Sequence, residues 1–118
     1  ERAGLLPYHG IQGKSLLPVM SGGGEVRCAL MIEHEDSQPK PGFARRANLR
    51  TLVTNSHRLS VYKDQDWGEL YDLQADPFET ENLWDAAESA GIKAELVGLL
   101  TDSLLAAADP SPWPKRRA

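Results

Sequence analysis

The chain has 118 residues and a formal net charge of -4, with 41% hydrophobic and 25% charged residues and a single cysteine. That length makes one domain, which buries roughly two-thirds of the surface its unfolded form would expose, enough for a core without metal or disulfides. The acidic balance argues against general nucleic-acid binding, which needs a basic footprint to displace counterions, and no apolar run approaches the roughly 18 to 20 residues that span a bilayer. Cys28 has no internal partner and leaves the redox compartment open. The chain opens at Glu1 without a methionine, so an upstream targeting segment remains an open expectation; a soluble protein is expected, cytoplasmic or periplasmic.

Residues 1–24 are rich in glycine and proline, with only Ser15 to Met20 resembling a helical turn, and are expected to drape as a connector. Val26, Cys28, Leu30 and Ile32 alternate as the covered side of a strand, though Ala29 and Met31 make the other side apolar too. His34 to Gly42 reads as a loop. Asn48 to Thr54 and His57 to Lys63 are expected as strands of a hairpin about Asn55 and Ser56, with Leu49, Thr51 and Val53 facing Leu59 and Val61. Arg50, Leu52, Arg58, Ser60 and Tyr62 then form the other face, polar enough to meet another domain or a second copy of the chain.

Leu70, Tyr71 and Leu73 suit an edge strand that stops before Pro77, which has no amide proton to donate. Asp76, Pro77 and Glu79 have the spacing of a capping box that opens a helix, and Asp85 with Glu88 offers another. Ile92, Leu96, Leu99, Leu100, Leu104 and Ala107 recur at threes and fours as the apolar stripe of a C-terminal helix, which Pro110, Pro112 and Pro114 end. The expected fold is α+β: a four-stranded antiparallel sheet with the C-terminal helix packed on one face, over residues 25–109, followed by an extended tail at 110–118.

Candidate chemistry is sparse. Glu33, His34, Glu35 and Asp36 could offer oxygens and an imidazole to a cation, but successive strand residues point to opposite faces, so at most two converge. His9, His34 and His57 lie at no nucleophile spacing, and the glycines from Gly22 to Gly24 lack the lysine and helix of a phosphate loop. Arg45 and Arg46 could contact an anion through bidentate bonds. Trp67 and Trp84 are expected to pack. Lys115, Arg116 and Arg117 read as a solvated tail.

Three stretches together resemble the C-terminal part of the sulfatase family, arylsulfatase-like hydrolases of the alkaline phosphatase superfamily. They are Gln12, Gly13 and Ser15 to Pro18 followed by glycines; Arg50 and Thr51 followed by Arg58 to Tyr62; and Glu69 to Leu73 followed by Asp76, Pro77, Glu79, Asn82 and Leu83. The resemblance covers nearly the whole chain and implies a C-terminal subdomain whose partner is an N-terminal catalytic domain lying upstream. It implies that the full-length parent hydrolyses sulfate esters with a formylglycine nucleophile beside calcium or another divalent cation. It also implies that the loop after the first strand lies towards the substrate cleft, making Glu33, His34, Glu35 and Asp36 its rim. Cys28 is not the formylglycine precursor, because Leu30 and Ile32 stand where that motif has proline or alanine and arginine; a reduced core cysteine is expected instead. The chain itself is therefore expected to hold no catalytic residue, metal or cofactor. Two alternatives are a free-standing binding module of the same shape and the tail of a related phosphodiesterase or phosphonate monoester hydrolase.

Overall fold

Asn55 and Ser56 form a two-residue turn, and that turn sets the register of a four-stranded antiparallel sheet. In the computed structural model, which describes residues 4, 13–24, 26–39, 41, 43 and 45–108, the strands are β1 (Ala29–Glu35), β2 (Asn48–Thr54), β3 (His57–Tyr62) and β4 (Gly68–Asp72), in the spatial order β1-β2-β3-β4. A short helix α1 (Leu17–Met20) precedes them, and a 3₁₀ turn (Ala87–Ser89) leads into the C-terminal helix α2 (Ala90–Ala107). The α+β expectation holds. Residues 1–3, 5–12 and 109–118, including His9, the closing prolines and the basic tail, lie outside the described residues.

The Thr54 hydroxyl oxygen accepts from the amides of His57 (2.9 Å) and Ser56 (3.3 Å), closing the hairpin tightly. With only two residues in the turn, Leu52 must oppose Leu59, Thr51 oppose Ser60, and Leu49 oppose Tyr62. Leu59 and Val61 therefore share a face with Leu52 and Arg50, not with Leu49, Thr51 and Val53 as their hydrophobicity suggested. The expected polar face, Arg50, Leu52, Arg58, Ser60 and Tyr62, mixes both sides; a one-residue slip exchanges every side chain. The open face instead carries Leu49, Thr51 and Val53 beside Arg58, Ser60 and Tyr62.

A second correction concerns β1. Met31 opposes Leu52, so Ala29 and Met31 pack on the core, while Leu30 (52% exposed) and Ile32 (46%) lie on the open face. Both alternating sets are apolar, and only the pairing with β2 chooses between them. Cys28 precedes the strand and is exposed, not a core residue.

The core is Leu52, Leu59 and Leu70 from the sheet against Leu96 and Leu100 from α2, with Ile92 and Leu104 packed beside them. Each fully covered leucine contributes on the order of 1.5 to 3 kcal/mol, so the helix is integral to the fold. Leu99, expected on this stripe, is 37% exposed on the outer side of α2.

Asp76 opens no helix. Its carboxylate accepts from the amides of Thr80 (2.6 Å) and Glu81 (2.8 Å) and from the Thr80 hydroxyl (3.1 Å), wrapping a turn around itself. Glu79 has a left-handed φ of 55° and sends its carboxylate to Arg58 instead of back to the Asp76 amide, which bonds to the Asp72 carbonyl. The ion pair across to the sheet wins over the local cap. Asp85 and Glu88 likewise make no cap: the residue ahead of α2 is Ser89, with no side-chain capping bond.

The turn returns along the outer edge of β4. Asn82 accepts from the Leu70 amide (3.0 Å) and donates to the Gly68 carbonyl (3.0 Å), and the Leu83 amide donates to the Leu70 carbonyl (2.8 Å). One asparagine thus does for an edge strand what a neighbouring strand would do. Trp84 then lies over Gly68, where an added Cβ would meet its ring at 2.5 Å. Lys93 of α2 sits 4.7 Å from the centre of that ring and donates to the Trp84 carbonyl.

The Gly68→Ala variant is expected to lose about 1 to 3 kcal/mol through overpacking against Trp84, read as a lower urea midpoint; an unchanged midpoint would mean that the indole does not rest there. Asp72 and Asp76 both titrate below the usual aspartate range. The Ala75 and Gln74 amides hold Asp72 down, and the Glu81 amide and Thr80 hold Asp76. A depressed folded pKa contributes stability above the unfolded value of about 3.9, lost as pH falls through the folded value. Acid titration of Asp72→Asn and Asp76→Asn should therefore show a flatter loss of stability below about pH 4 than the parent chain, and parallel acid limbs would refute these turn bonds.

Candidate functional site

The ends of β1 and β2 nearest the loop of residues 36–47 meet the turn between β3 and β4, and a cleft of about 490 Å³ opens between them. Its lining includes Glu35, Asp36, Arg45, Arg46, Asn48 and Lys63. Strand pairing brings these together: Glu35 opposes Asn48, the Asp36 amide donates to the Ala47 carbonyl (2.8 Å), and the Lys63 amide donates to the Asn48 carbonyl (2.8 Å). The chain thus enters the cleft from β1, leaves through β2, and returns beside it after β3.

The sequence-predicted rim residues divide by the alternation of β1. Glu33 and Glu35 converge on Arg50, at 2.9 Å to its Nε and 3.2 Å to its Nη2, and Glu35 also accepts from the Asn48 amide nitrogen at 3.2 Å. Arg50 Nη1 donates to Asn48 Oδ1 (2.8 Å) and to the Leu49 carbonyl (3.0 Å), so one guanidinium ties β1 to β2 at this end. His34 points the other way and meets Asp36 at 2.9 Å from its Nε2. Glu35 and Asp36 line the cleft with both arginines; Glu33 and His34 do not. Arg45 Nη1 stands 3.8 Å from Asp64 Oδ2, both side chains well exposed, a pairing of little energetic consequence.

Three rings stand at this end of the sheet: Tyr62 lies 4.5 Å from Trp67 and 5.9 Å from Phe43 between ring centroids, and Phe43 lies 5.8 Å from Trp67. Phe43 and Tyr62 line the cleft. The indole N–H of Trp67 donates to Gln65 (3.1 Å). Trp67 and Trp84 therefore both pack, as expected. The roles of Phe43, Asn48, Tyr62 and Lys63 were not anticipated; the only signal was two aromatics flanking a short β3–β4 turn.

Farther along the open face, Arg58 forms a second polar centre. It pairs with Glu79 (Nη2, 2.6 Å; Nε, 2.9 Å) and Glu69 (3.1 Å), donates to the Ser60 hydroxyl (3.1 Å), and lies 4.8 Å from the centre of the Tyr71 ring. Ser60 and Thr51 share a buried hydroxyl bond of 2.8 Å. Burial works against the Arg58 charge, but the bond to Glu79 and the charges of Glu69 and Glu79 raise its pKa. Burial, then the charge of Glu69, raises both Tyr62 and Tyr71, keeping the phenols protonated.

Nothing in this set fits a metal centre or a nucleophile. Among the described residues no three histidine, cysteine or carboxylate side chains lie together, because the carboxylates of β1 are drawn to Arg50 and His34. No helix among them is long and apolar enough to cross a membrane.

The model of one family, N-sulphoglucosamine sulphohydrolase, C-terminal, matches residues 1–105. The chain belongs to this family. It is 32% identical over 97 residues to the N-acetylglucosamine-6-O-sulfatase of Bacteroides thetaiotaomicron, an alignment covering 79% of this chain and 17% of that protein. Among solved structures it superposes with a TM-score of 0.75 and 30% identity on a protein in complex with its substrate, D-glucosamine-2-N,6-O-disulfate, covering 96% of this chain and 23% of the other. The phosphonate monoester hydrolase of Agrobacterium radiobacter shares the fold at a TM-score of 0.67 and 21% identity, over 82% of this chain and 21% of that one. The chain thus spans about a fifth of the length of these proteins. Within the family's C-terminal domain, the stretch from Glu69 to Leu83 is the strand β4 together with the turn that covers its edge.

Proposed function

We propose that this chain is the C-terminal domain of a sulfatase, and that the longer protein to which it belongs hydrolyses sulfate esters. The observation that carries the reading is the family match over residues 1–105, supported by 32% identity to a sugar sulfatase. In this reading residues 1–24 are the connector from an N-terminal catalytic domain, 25–109 the domain proper and 110–118 a tail. The catalytic domain would bring the formylglycine nucleophile and a divalent cation such as calcium, since the donors described here suit neither: Cys28 lacks the flanking proline and arginine, and the acidic side chains are paired with cations.

Two roles remain for the domain. The first is bracing. Leu30 and Ile32 lie half exposed on the open sheet face, and the natural occupant of that apolar surface is the rest of the longer protein, given that this chain matches about a fifth of its relatives. The second is shaping the substrate entrance, with Glu33, His34, Glu35 and Asp36 as its rim and Arg45 and Arg46 as contacts for an anion. An arginine fork can meet two oxygens of a sulfate at once, which a lysine cannot.

A related reading replaces sulfate by phosphonate or phosphate esters and is favoured only by the shared fold with the phosphonate monoester hydrolase. Assay against an aryl sulfate decides the assignment of roles. The 118-residue chain alone should give no turnover with or without calcium, while the longer protein should cleave the sulfate in preference to the matching phosphate and phosphonate esters. Robust turnover by the purified chain would overturn the non-catalytic role, and preference for a phosphorus ester would overturn the sulfatase assignment.

A further inference from the structure

The cleft combines two features that the family match does not explain, a wall of aromatic rings and a pair of cations whose charge is not met. Its acidic groups are already engaged: Glu35 by Arg50 and Asn48, Asp36 by His34, and Asp64, at 3.8 Å, by Arg45. Arg46 and Lys63, on opposite approaches to the same opening, have no carboxylate within ion-pair distance among the described residues. Beside them Phe43 and Tyr62 present ring surface, and Tyr62 is backed by Trp67 at 4.5 Å. A volume of about 490 Å³ is within the range that takes a small ligand.

An aromatic wall suits a ligand with one apolar face, and unmatched cations suit one that carries an anionic substituent. A pyranose ring has such a face in its axial C–H groups, while its hydroxyls find partners in Asn48 and Gln65, which also line the cleft. We propose that this cleft is a binding site for a sulfated pyranose, with the sugar ring against Phe43 and Tyr62 and its sulfate between Arg46 and Lys63. The choice of a sulfated over a carboxylated or phosphorylated sugar rests on the sulfatase reading above; the aromatic wall and the cations do not.

The test is a titration of the ¹⁵N-labelled 118-residue chain, followed by NMR, with D-glucosamine-2-N,6-O-disulfate, unsulfated glucosamine and inorganic sulfate as probes. The disulfate should shift the amides of residues 45–48 and 62–65 and the Trp67 indole N–H, and glucosamine at the same concentration should not. Replacing both cations (Arg46→Ala with Lys63→Ala) should weaken binding about tenfold, and Phe43→Leu should weaken the sugar disulfate while leaving inorganic sulfate unchanged. Both cations are exposed or at the lip of the cleft, and retained spectral dispersion will show that the variants fold. Shifts confined to other parts of the chain, binding that survives loss of both cations, or equal affinity for inorganic sulfate and the sugar disulfate would overturn the proposal. Because binding is read without turnover, the outcome stands whether or not the longer protein hydrolyses sulfate esters.

Discussion

Everything beyond β3 depends on how one turn is fastened to the sheet. Residues 76–83 leave β4, double back and lie along its outer edge, held from the face by Arg58 through Glu79 and from the edge by Asn82. Without that cover β4 would show unpaired amides and carbonyls to solvent, the usual invitation to edge-to-edge association. With it, Leu83 and Trp84 are delivered onto the core, Trp84 closes over Gly68, and α2 starts where its leucines meet Leu52, Leu59 and Leu70. The left-handed backbone at Glu79 is an unfavourable local conformation for a non-glycine residue, and its two bonds to Arg58 offset it.

The same sheet positions the cleft at its other end. Arg50 binds Glu33 and Glu35 across β1 and β2, which sets the direction in which the loop of residues 36–47 departs, while the turn after β3 brings Tyr62 and Lys63 to face it. The polar centre around Arg58 and the cleft lie on the same strand, β3, and share the open face through Ser60 and Tyr62. A rigid β3 is thus a common requirement of fastening and recognition, and the α2 helix, which covers the opposite face with Leu96 and Leu100, supplies that rigidity.

Much of the architecture was legible because the turn chemistry was explicit: Asn55 and Ser56 between two β-branched runs left little alternative to a hairpin, and the leucines of α2 marked a helix. Which face each residue occupies was less legible. β1 has apolar residues at every position from Ala29 to Ile32, so alternation could not tell Met31 from Leu30, and the hairpin was read one residue out of register. Asp76, Pro77 and Glu79 satisfy a capping rule that considers only neighbours in sequence; the partner that draws Glu79 away, Arg58, lies 21 residues earlier. Of the candidate site, the charges at Glu35, Asp36, Arg45 and Arg46 were visible, whereas Phe43, Tyr62 and Lys63 joined them only through the fold.

The central claim is that the turn is clamped to the sheet by Arg58 and Glu79 and does not serve as a helix cap. A double-mutant cycle of Arg58→Ala and Glu79→Ala, measured by urea unfolding of the single and double variants, isolates the interaction. A coupling of about 1 to 2 kcal/mol, above the usual 0.2 to 1 of an exposed pair, is predicted, with unchanged far-ultraviolet helix content in Glu79→Ala. A coupling within about 0.3 kcal/mol of zero, or a loss of helix when Glu79 alone is replaced, would contradict the account.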